Sequence, residues 1–305
     1  MQKQGTATLG DYIIFLFLGF IWGSSFILMK FTLFGMNGEP LFSAYQLAGL
    51  RIFIAGFLLY PASIPKLKKI KGWDWLFLFM VGVFGNFIPA FLFASAIESN
   101  LASGIAGILN SLTPIFALIL GMVVFKSSFS KRQGFGLGLG LIGAIGLISL
   151  KSGSGEILLG PMLLVVVATL CYAISLNIIK YKLDHLSSVT IASLGLGLVS
   201  IPSGIYLLFS GVEEVFVQSD QAWFGLGSAF VLAAIGTALA LVFFNRLVAR
   251  TTVIFASSVT YIIPLFAAMW GYVFKESLTI YHGLFGLIIV FGVYLVNRKP
   301  KVSVK

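Results

Sequence analysis

Charged residues are scarce in this chain, and cysteine and histidine are nearly absent. Asp, Glu, Lys and Arg together make up 10% of the 305 residues, whereas a soluble domain carries about 25%. The single cysteine, Cys171, excludes a disulfide framework and a cysteine metal cluster. The two histidines, His185 and His282, belong to no H-E-x-x-H motif, and no G-x-S-x-G motif accompanies them. The sequence therefore predicts no metal site, no cofactor and no catalytic residues.

Long apolar segments dominate the chain instead. Apolar residues make up 59% of it, and the mean hydropathy is +1.04. A helix needs about 20 apolar residues to cross a hydrocarbon layer roughly 30 Å thick, and ten segments are long enough. They are 12–31, 43–60, 73–95, 102–125, 134–150, 157–180, 187–209, 222–244, 252–274 and 281–297. This pattern predicts an all-α membrane protein with ten transmembrane helices.

The first half of the chain matches the second half when it is shifted by 150 residues. Trp22 then aligns with Tyr172, and Pro114 aligns with Pro264. Each copy, 1–150 and 151–305, contains five apolar segments, and an odd number of crossings makes the second copy enter from the opposite face. Two inverted five-helix repeats are typical of transporters whose binding site lies near the bilayer midplane. We therefore expect one transport unit that alternates its access around a central site.

Positive charge is divided unequally between the two sets of connections. One set, with both termini, contains 16 of the 20 Lys and Arg residues, while the other contains only Lys30, Lys151 and Lys275. Because positive residues stay on the cytoplasmic side, both termini are predicted to be cytoplasmic, in a bacterial-type inner membrane. The charges lie in short loops and not on one basic face, so the net charge of +10 does not indicate nucleic-acid binding.

Several motifs together resemble a known family. Residues 20–26 (FIWGSSF) followed by Lys30, and residues 50–55 (LRIFIA), are similar to the first two helices of EamA-type members of the drug/metabolite transporter superfamily. Pro264, residues 274–276 (FKE) and Gly283 are similar to the stretch that closes each family repeat. The first copy departs from this pattern, because residues 125–127 read FKS and lack the acid, whose expected role is loop or helix-end pairing.

The resemblance covers about residues 12–297 in two copies. It implies a ten-helix bundle with a central cavity that moves small metabolites or amino acids, often outward. Ten helices are sufficient for a complete unit, so we expect a monomer surrounded by membrane lipids. A lipid flippase or scramblase, or a membrane-embedded enzyme, is the alternative function.

Arg51 is the strongest individual candidate for a binding residue. It lies midway along the second segment, on one face with Ala44, Ala48 and Ala55, while the bulky face with Leu50 and Phe53 is suited to lipid. A buried guanidinium can bind a carboxylate or phosphate through two parallel hydrogen bonds. The alternative is a structural role, in which Arg51 bonds helix-end carbonyls or a loop acid such as Glu39 or Glu98.

Aromatic and polar residues at matched positions complete the predicted site. Trp22 and Tyr172 lie near the midplane and suit a cavity wall, although core packing explains them equally well. Pro114 and Pro264 each deprive a carbonyl four residues earlier, Asn110 and Thr260, of its donor, and kinked helices at matched positions indicate a transporter site. The predicted substrate-binding residues are Trp22, Ser25, Arg51, Asn86, Asn110, Thr113, Tyr172, Asn177, Ser257, Ser258, Thr260 and Tyr261, with helix kinks at Pro114 and Pro264.

The mechanism of coupling is constrained by what the apolar segments lack. Every acidic residue falls near a predicted helix end or in a loop, so a relay of carboxylates across the membrane has no residues to form it. The G-x-G-x-x-G match at residues 138–143 follows no strand. The pairs Gly134 with Gly138 and Gly136 with Gly140 indicate tight helix packing rather than nucleotide binding. We therefore expect facilitated diffusion or weak coupling.

Overall fold

The computed structural model describes residues 8–126, 130–148, 150, 158–250, 258–276 and 278–297, and within these ranges the regular structure is entirely helical. The α-helices are α1 Leu9–Phe34, α2 Ala44–Ser63, α3 Asp74–Gly82, α4 Ile88–Glu98, α5 Ser103–Asn110, α6 Thr113–Val123, α7 Lys131–Ile148, α8 Leu159–Lys182, α9 Ser188–Leu208, α10 Val212–Gln218, α11 Ala222–Ala233, α12 Ala240–Arg250, α13 Ile263–Val273 and α14 Ile280–Asn297.

Short π-helical turns join two of these pairs into continuous rods. Val83–Phe87 connects α3 to α4, and Ala234–Leu239 connects α11 to α12. The 3₁₀ segments Ile64–Lys69 and Ser258–Tyr261 extend α2 and precede α13. The connections between rods are short, as expected for neighbouring helices of a bundle.

Seven helical segments in the described residues are long and apolar enough to cross a membrane. They are Leu9–Phe34, Ala44–Lys68, Asp74–Glu98, Ser103–Val123, Leu159–Lys182, Ser188–Leu208 and Ala222–Phe244. Ile263–Val273 and Ile280–Gly292 are shorter apolar helices. Each of the ten predicted segments overlaps one of the helices named above.

Capping boxes set the start of the first two helices. The Thr8 hydroxyl accepts the Asp11 backbone N–H of α1, and the Asp11 carboxylate accepts back from Thr8. Ser43 and Gln46 form the same reciprocal pair at α2. A side chain that bonds an unpaired N–H at a helix start stabilises the helix by about 1 kcal/mol. Glu98 adds a further acceptor, 2.8 Å from the Ala44 N–H.

Helices of one half pack mainly against helices of the other half. α1 packs on α11, α12 and α13, while α8 packs on α3, α4 and α6. Three further pairs, α2 with α9, α7 with α14 and α5 with α13, also join the two halves. Several contacts of first-half helices thus have counterparts in the second half, which is the arrangement expected of a duplicated bundle.

Glycine allows the closest of these contacts. A Cβ on Gly292 would lie 2.6 Å from the backbone oxygen of Gly136, and a Cβ on Gly23 would lie 3.0 Å from the Ile263 carbonyl. Small residues let membrane helices approach closely, so the packing role predicted for the glycine-rich segment is confirmed at Gly136 and Gly140, which both lie against Gly292. It is wrong for Gly138, which has open space in front of it.

The prediction for the lipid-facing side of α2 needs one correction. Phe53 and Phe57 are exposed, but Leu50 is buried. A helix in a bundle is covered by neighbours over a wider arc than its own small residues indicate, and Leu50 belongs to the core shared by α1, α4 and α8. Ala44, Ala48 and Ala55 are buried as expected.

Glu276 ties three chain segments together at one end of the bundle. Its side chain is 3% exposed, and Oε1 lies 3.2 Å from Lys30 Nζ at the end of α1. Oε2 accepts the Gly104 N–H at the start of α5, at 3.3 Å. The predicted helix-end pairing of this acid is therefore confirmed. At the matched position of the other half, Lys180 lies over the ring of Tyr181, which stacks on Phe125.

Replacing Lys30 and replacing Glu276 are expected to destabilise the protein by unequal amounts. Lys30→Met leaves a buried carboxylate without its counter-charge and is expected to lower the free energy of unfolding by about 2 kcal/mol. Glu276→Gln leaves a lysine that is 39% exposed and hydrated, so it costs less. The double variant, with both Lys30→Met and Glu276→Gln, is expected to be more stable than Lys30→Met alone. Thermal unfolding of the purified proteins in detergent measures the order of stability of these variants.

Lys180→Met is the matched control for this prediction. It removes the repeat-equivalent lysine, whose side chain is exposed and forms no ion pair with a described carboxylate. An equal loss of stability in Lys30→Met and Lys180→Met would contradict the role of the buried pair.

Candidate functional site

Arg51 lies in the middle of α2 and is half-buried. Its Nε donates to Thr237 Oγ1 at 3.0 Å. No carboxylate in the described part of the chain lies within ion-pair distance of it. Glu98, one of the predicted structural partners, bonds the Ala44 N–H instead. The guanidinium is thus held by a hydroxyl and carries an uncompensated charge within an apolar helix.

Two aromatic pairs flank this region. Tyr172 on α8 stacks on Phe93, with ring centroids 6.0 Å apart, and its phenol lies within electrostatic range of Arg51. Trp22 on α1 lies 5.3 Å from Phe244, and its Nε1 donates to the Gly236 carbonyl at 3.2 Å. Trp22 and Tyr172 are both half-buried, so each has surface left for a ligand.

The π-helical turns connect these residues to one another. A Cβ added to Gly236 would lie 3.1 Å from Ser25 Oγ, and a Cβ added to Gly85 would collide with Ser175 Oγ. Ser25 and Ser175 are equivalent in the repeat, so Gly85 and Gly236 make equivalent contacts, although 151 rather than 150 residues separate them. Asn86 and Thr237 follow these glycines. The Asn86 side chain is half-buried. π-Turns inside α-helices are frequent at functional sites.

Sequence reasoning missed both π-turns and Thr237. A π-turn inserts one residue into a helix without changing its apolar character, so hydropathy does not detect it. The matched glycine followed by a polar residue, Gly85-Asn86 and Gly236-Thr237, is the signal that could have located them.

The predicted proline kinks are breaks between helices. α5 ends at Asn110 and α6 begins at Thr113, while α13 begins at Ile263, so each proline occupies the second helical position. The carbonyl that each proline frees has found a hydroxyl donor. Thr113 Oγ1 donates to the Asn110 carbonyl at 2.9 Å, and Ser111 Oγ donates to the Thr260 carbonyl at 3.3 Å.

These bonds place the two breaks in contact, because Ser111 belongs to one and Thr260 to the other. Asn110 Oδ1 is buried at the same place and accepts no hydrogen bond within the described residues. A buried amide oxygen without a donor costs about 1–3 kcal/mol, which makes Asn110 Oδ1 a candidate acceptor for a substrate.

Other predicted residues have their donors occupied. Both Nδ2 hydrogens of Asn177 are directed to backbone carbonyls, those of Ala117 at 3.1 Å and Ala173 at 2.9 Å. Ser25 Oγ donates to the Ile21 carbonyl at 3.0 Å. Only acceptor oxygens remain on these two side chains. Ser257 lies outside the described residues, as do the side chains of Ser258 and Tyr261.

The model of the EamA-like transporter family matches residues 10–149 and again residues 159–298. The chain belongs to this family. Two consecutive matches cover both halves, so the match agrees with the duplication read from the sequence. The family, together with seven helical segments able to cross a membrane, makes this EamA-like chain an integral membrane protein of the drug/metabolite transporter superfamily.

Relatives of this EamA-like transporter are named for transport. An uncharacterized transporter of Synechocystis sp. is 25% identical, over 94% of this chain and 89% of its own. A probable amino-acid metabolite efflux pump of Salmonella typhimurium is 25% identical, over 96% and 98%. An S-adenosylmethionine/S-adenosylhomocysteine transporter of Chlamydia muridarum is 26% identical, over 86% and 82%. The names indicate a transporter rather than an enzyme.

One crystal structure of another protein has a similar fold. It covers 95% of this transporter and 96% of its own chain, with a TM-score of 0.60 and 14% sequence identity. At this identity the likeness concerns the fold alone.

A cavity of about 490 Å³ lies at one end of the bundle, away from Arg51. It is lined by the end of α1, the start of α2 and the start of α10, and includes Glu98 and Glu214. It contains none of the predicted site residues. The guanidinium of Arg51, which lacks a counter-charge among the described residues, therefore marks the better candidate site.

The hydroxyls at the helix breaks give a second stability prediction. Thr113→Val keeps the shape of the side chain but leaves the freed Asn110 carbonyl without a donor, so it is expected to lower the free energy of unfolding by about 1–2 kcal/mol. Thr113→Ser retains the hydroxyl and is expected to cost less. Thermal unfolding of both variants tests this difference.

Thr169→Val is the control, because Thr169 is equally buried and its hydroxyl donates to the Val166 carbonyl inside the uninterrupted helix α8. That carbonyl has a helical N–H partner as well. The interpretation is wrong if Thr169→Val destabilises the protein as much as Thr113→Val.

Proposed function

We propose that this EamA-like transporter exports small metabolites that carry a carboxylate, such as amino acids. Transport proceeds by alternating access around a central site between the two halves. The membrane is the cytoplasmic membrane of a bacterial-type cell.

The arrangement of Arg51 is the observation that carries this proposal. A charged side chain at membrane depth is costly unless it is paired or faces a polar cavity, and this one has a single hydroxyl partner among the described residues. Its planar fork can take a carboxylate through two parallel hydrogen bonds. A substrate carboxylate supplies the counter-charge that the protein leaves out.

The remaining predicted residues have complementary roles in this proposal. Trp22, Tyr172 and Tyr261 form aromatic walls against an apolar side chain. The polar groups hydrogen-bond the rest of the substrate; they are Ser25, Asn86, Asn110, Thr113, Asn177, Ser257, Ser258 and Thr260. The breaks at Pro114 and Pro264 allow the helix pieces on either side to tilt separately. An amino-acid metabolite efflux pump and an S-adenosylmethionine transporter among the relatives support a small-metabolite cargo.

The proposed topology consists of ten membrane crossings in two inverted five-helix repeats, 1–150 and 151–305. Both termini are cytoplasmic, and the monomer is the transport unit. Movement is by facilitated diffusion or weak coupling, since Asp11, Glu98 and Glu276, at the ends of apolar helices, are engaged in caps or ion pairs.

Replacement of Arg51 tests the central claim. Arg51→Ala is expected to abolish the increase in melting temperature that carboxylate ligands cause, because binding only to the folded state is what raises it. The same variant is expected to abolish carboxylate flux in proteoliposomes while the folded yield is kept. Arg51→Lys retains a charge but not the fork and is expected to be intermediate.

Arg246→Gln is the matched control, because it removes an exposed arginine of α12 and is expected to leave both readouts unchanged. Loss of folded protein in Arg51→Ala would instead support a structural role. Transport of labelled lipid rather than soluble metabolites would support the flippase alternative.

Site-directed labelling tests the orientation. Asn37 and Lys68 are exposed, in the connections after α1 and after α2. A membrane-impermeant maleimide applied to intact cells is expected to label Asn37→Cys and not Lys68→Cys, because only the first connection faces outward. Cys171 is 6% exposed, so the native cysteine is expected to contribute little background. The reverse labelling pattern would overturn the orientation.

A further inference from the structure

The geometry points to Thr237 as the positioning residue that selects carboxylates, by holding the guanidinium of Arg51 in one orientation. The inference rests on the proposed function, since it concerns how the same site recognises its substrate. Thr237 is 4% exposed and lies in the π-turn between α11 and α12.

The Thr237 hydroxyl can act toward Arg51 only as an acceptor. Its single hydrogen is donated to the Leu232 carbonyl at 3.2 Å, so a lone pair is directed at the Arg51 Nε, 3.0 Å away. A hydroxyl has one donor hydrogen and two acceptor lone pairs, so the Thr237 hydroxyl donates to the Leu232 carbonyl and accepts from Arg51 at the same time. The orientation of Thr237 is fixed before any ligand binds.

The π-turn makes this geometry available. Threonine hydroxyls in helices usually bond the carbonyl three or four residues earlier, whereas Leu232 is five residues before Thr237. The same turn presents the Gly236 carbonyl to Trp22 and leaves space for Ser25. One π-turn of the second half therefore orients residues from α1 and α2 of the first half.

The hydrogen bond at Nε decides which edge of the Arg51 guanidinium remains free to bind a carboxylate. Arginine presents five donors in a planar fork, and one of the two edges on which a carboxylate binds includes Nε. With Nε engaged, the opposite edge, formed by the two Nη groups, is left for two parallel bonds to a carboxylate. Neither Nη group is bonded to a described residue.

The helix α9 of the second half supplies no cation that could compete with Arg51 for a carboxylate. α9, the partner of α2, contains no lysine or arginine between Ser188 and Leu208. In the other π-turn, Asn86 follows Gly85 as Thr237 follows Gly236, and the Asn86 side chain is half-buried. The site therefore has one cationic end, which suits a substrate with one carboxylate.

The test compares Thr237→Val with Thr237→Ser. The probes are L-leucine, L-phenylalanine and L-threonine, each paired with its C-terminal amide, which keeps the shape and removes the negative charge. Dissociation constants come from ligand-dependent shifts in the melting temperature of the purified full chain. The ratio of amide to acid dissociation constants is the readout, because a general loss of packing does not change it.

The wild-type protein is expected to bind at least one acid about tenfold more tightly than its amide, as the loss of a bond to a charged group predicts. Thr237→Val is expected to lose most of this ratio, and Thr237→Ser to keep it. Thr32→Val, which removes a fully buried hydroxyl bonded to the Leu28 carbonyl of α1, is expected to keep it as well. Should Thr237→Val not fold, Thr237→Ala removes the same hydroxyl with less crowding.

The outcomes separate the inference from the proposed function. If the wild-type protein shows no preference for any acid over its amide, carboxylate recognition is wrong and the inference falls with it. A preference that Thr237→Val retains in full overturns the positioning role alone. Equal losses in Thr237→Ser and Thr237→Val would show that the methyl group matters, and would also overturn it.

Discussion

The requirement that polar groups in an apolar medium find partners within the protein governs this structure. Hydrocarbon offers no hydrogen bonds, so each backbone group exposed by a helix break has to be satisfied internally. The Asn110 and Thr260 carbonyls, freed by prolines, receive hydroxyl donors, and the breaks are joined in the process. Arg51 and Asn110 Oδ1 are the groups at which these partners are incomplete among the described residues, and we propose that the substrate binds there.

The two halves share a packing plan but differ in charge. The helices α1 and α8 each pack on helices of the other half, and the π-turns recur beside Ser25 and Ser175. Glu276 closes one end with an ion pair, whereas the other half has serine at position 127. Arg51 likewise has no cationic counterpart on α9. A duplicated scaffold thus carries ends and a cationic group that are not symmetric.

Much of the fold could be predicted because hydropathy and proline act locally. The helical segments follow from apolar runs, and the freed carbonyls at Asn110 and Thr260 follow from covalent chemistry. The π-turns could not be predicted, since one added residue changes no composition. Burial of Leu50 was also missed, because it depends on which neighbours cover α2. For Arg51, sequence reasoning left substrate contact and acidic pairing open.

The sequence by itself determined that this is a helical membrane protein built from two related halves, because apolar run length and internal repetition are properties of the chain. It also placed Arg51 in an apolar helix. Only the tertiary structure decided which residue forms a hydrogen bond with Arg51. Thr237 lies 186 residues away along the chain, and a π-turn in another half brings it to the guanidinium. Contacts across such separations arise from packing between helices, which no local pattern encodes.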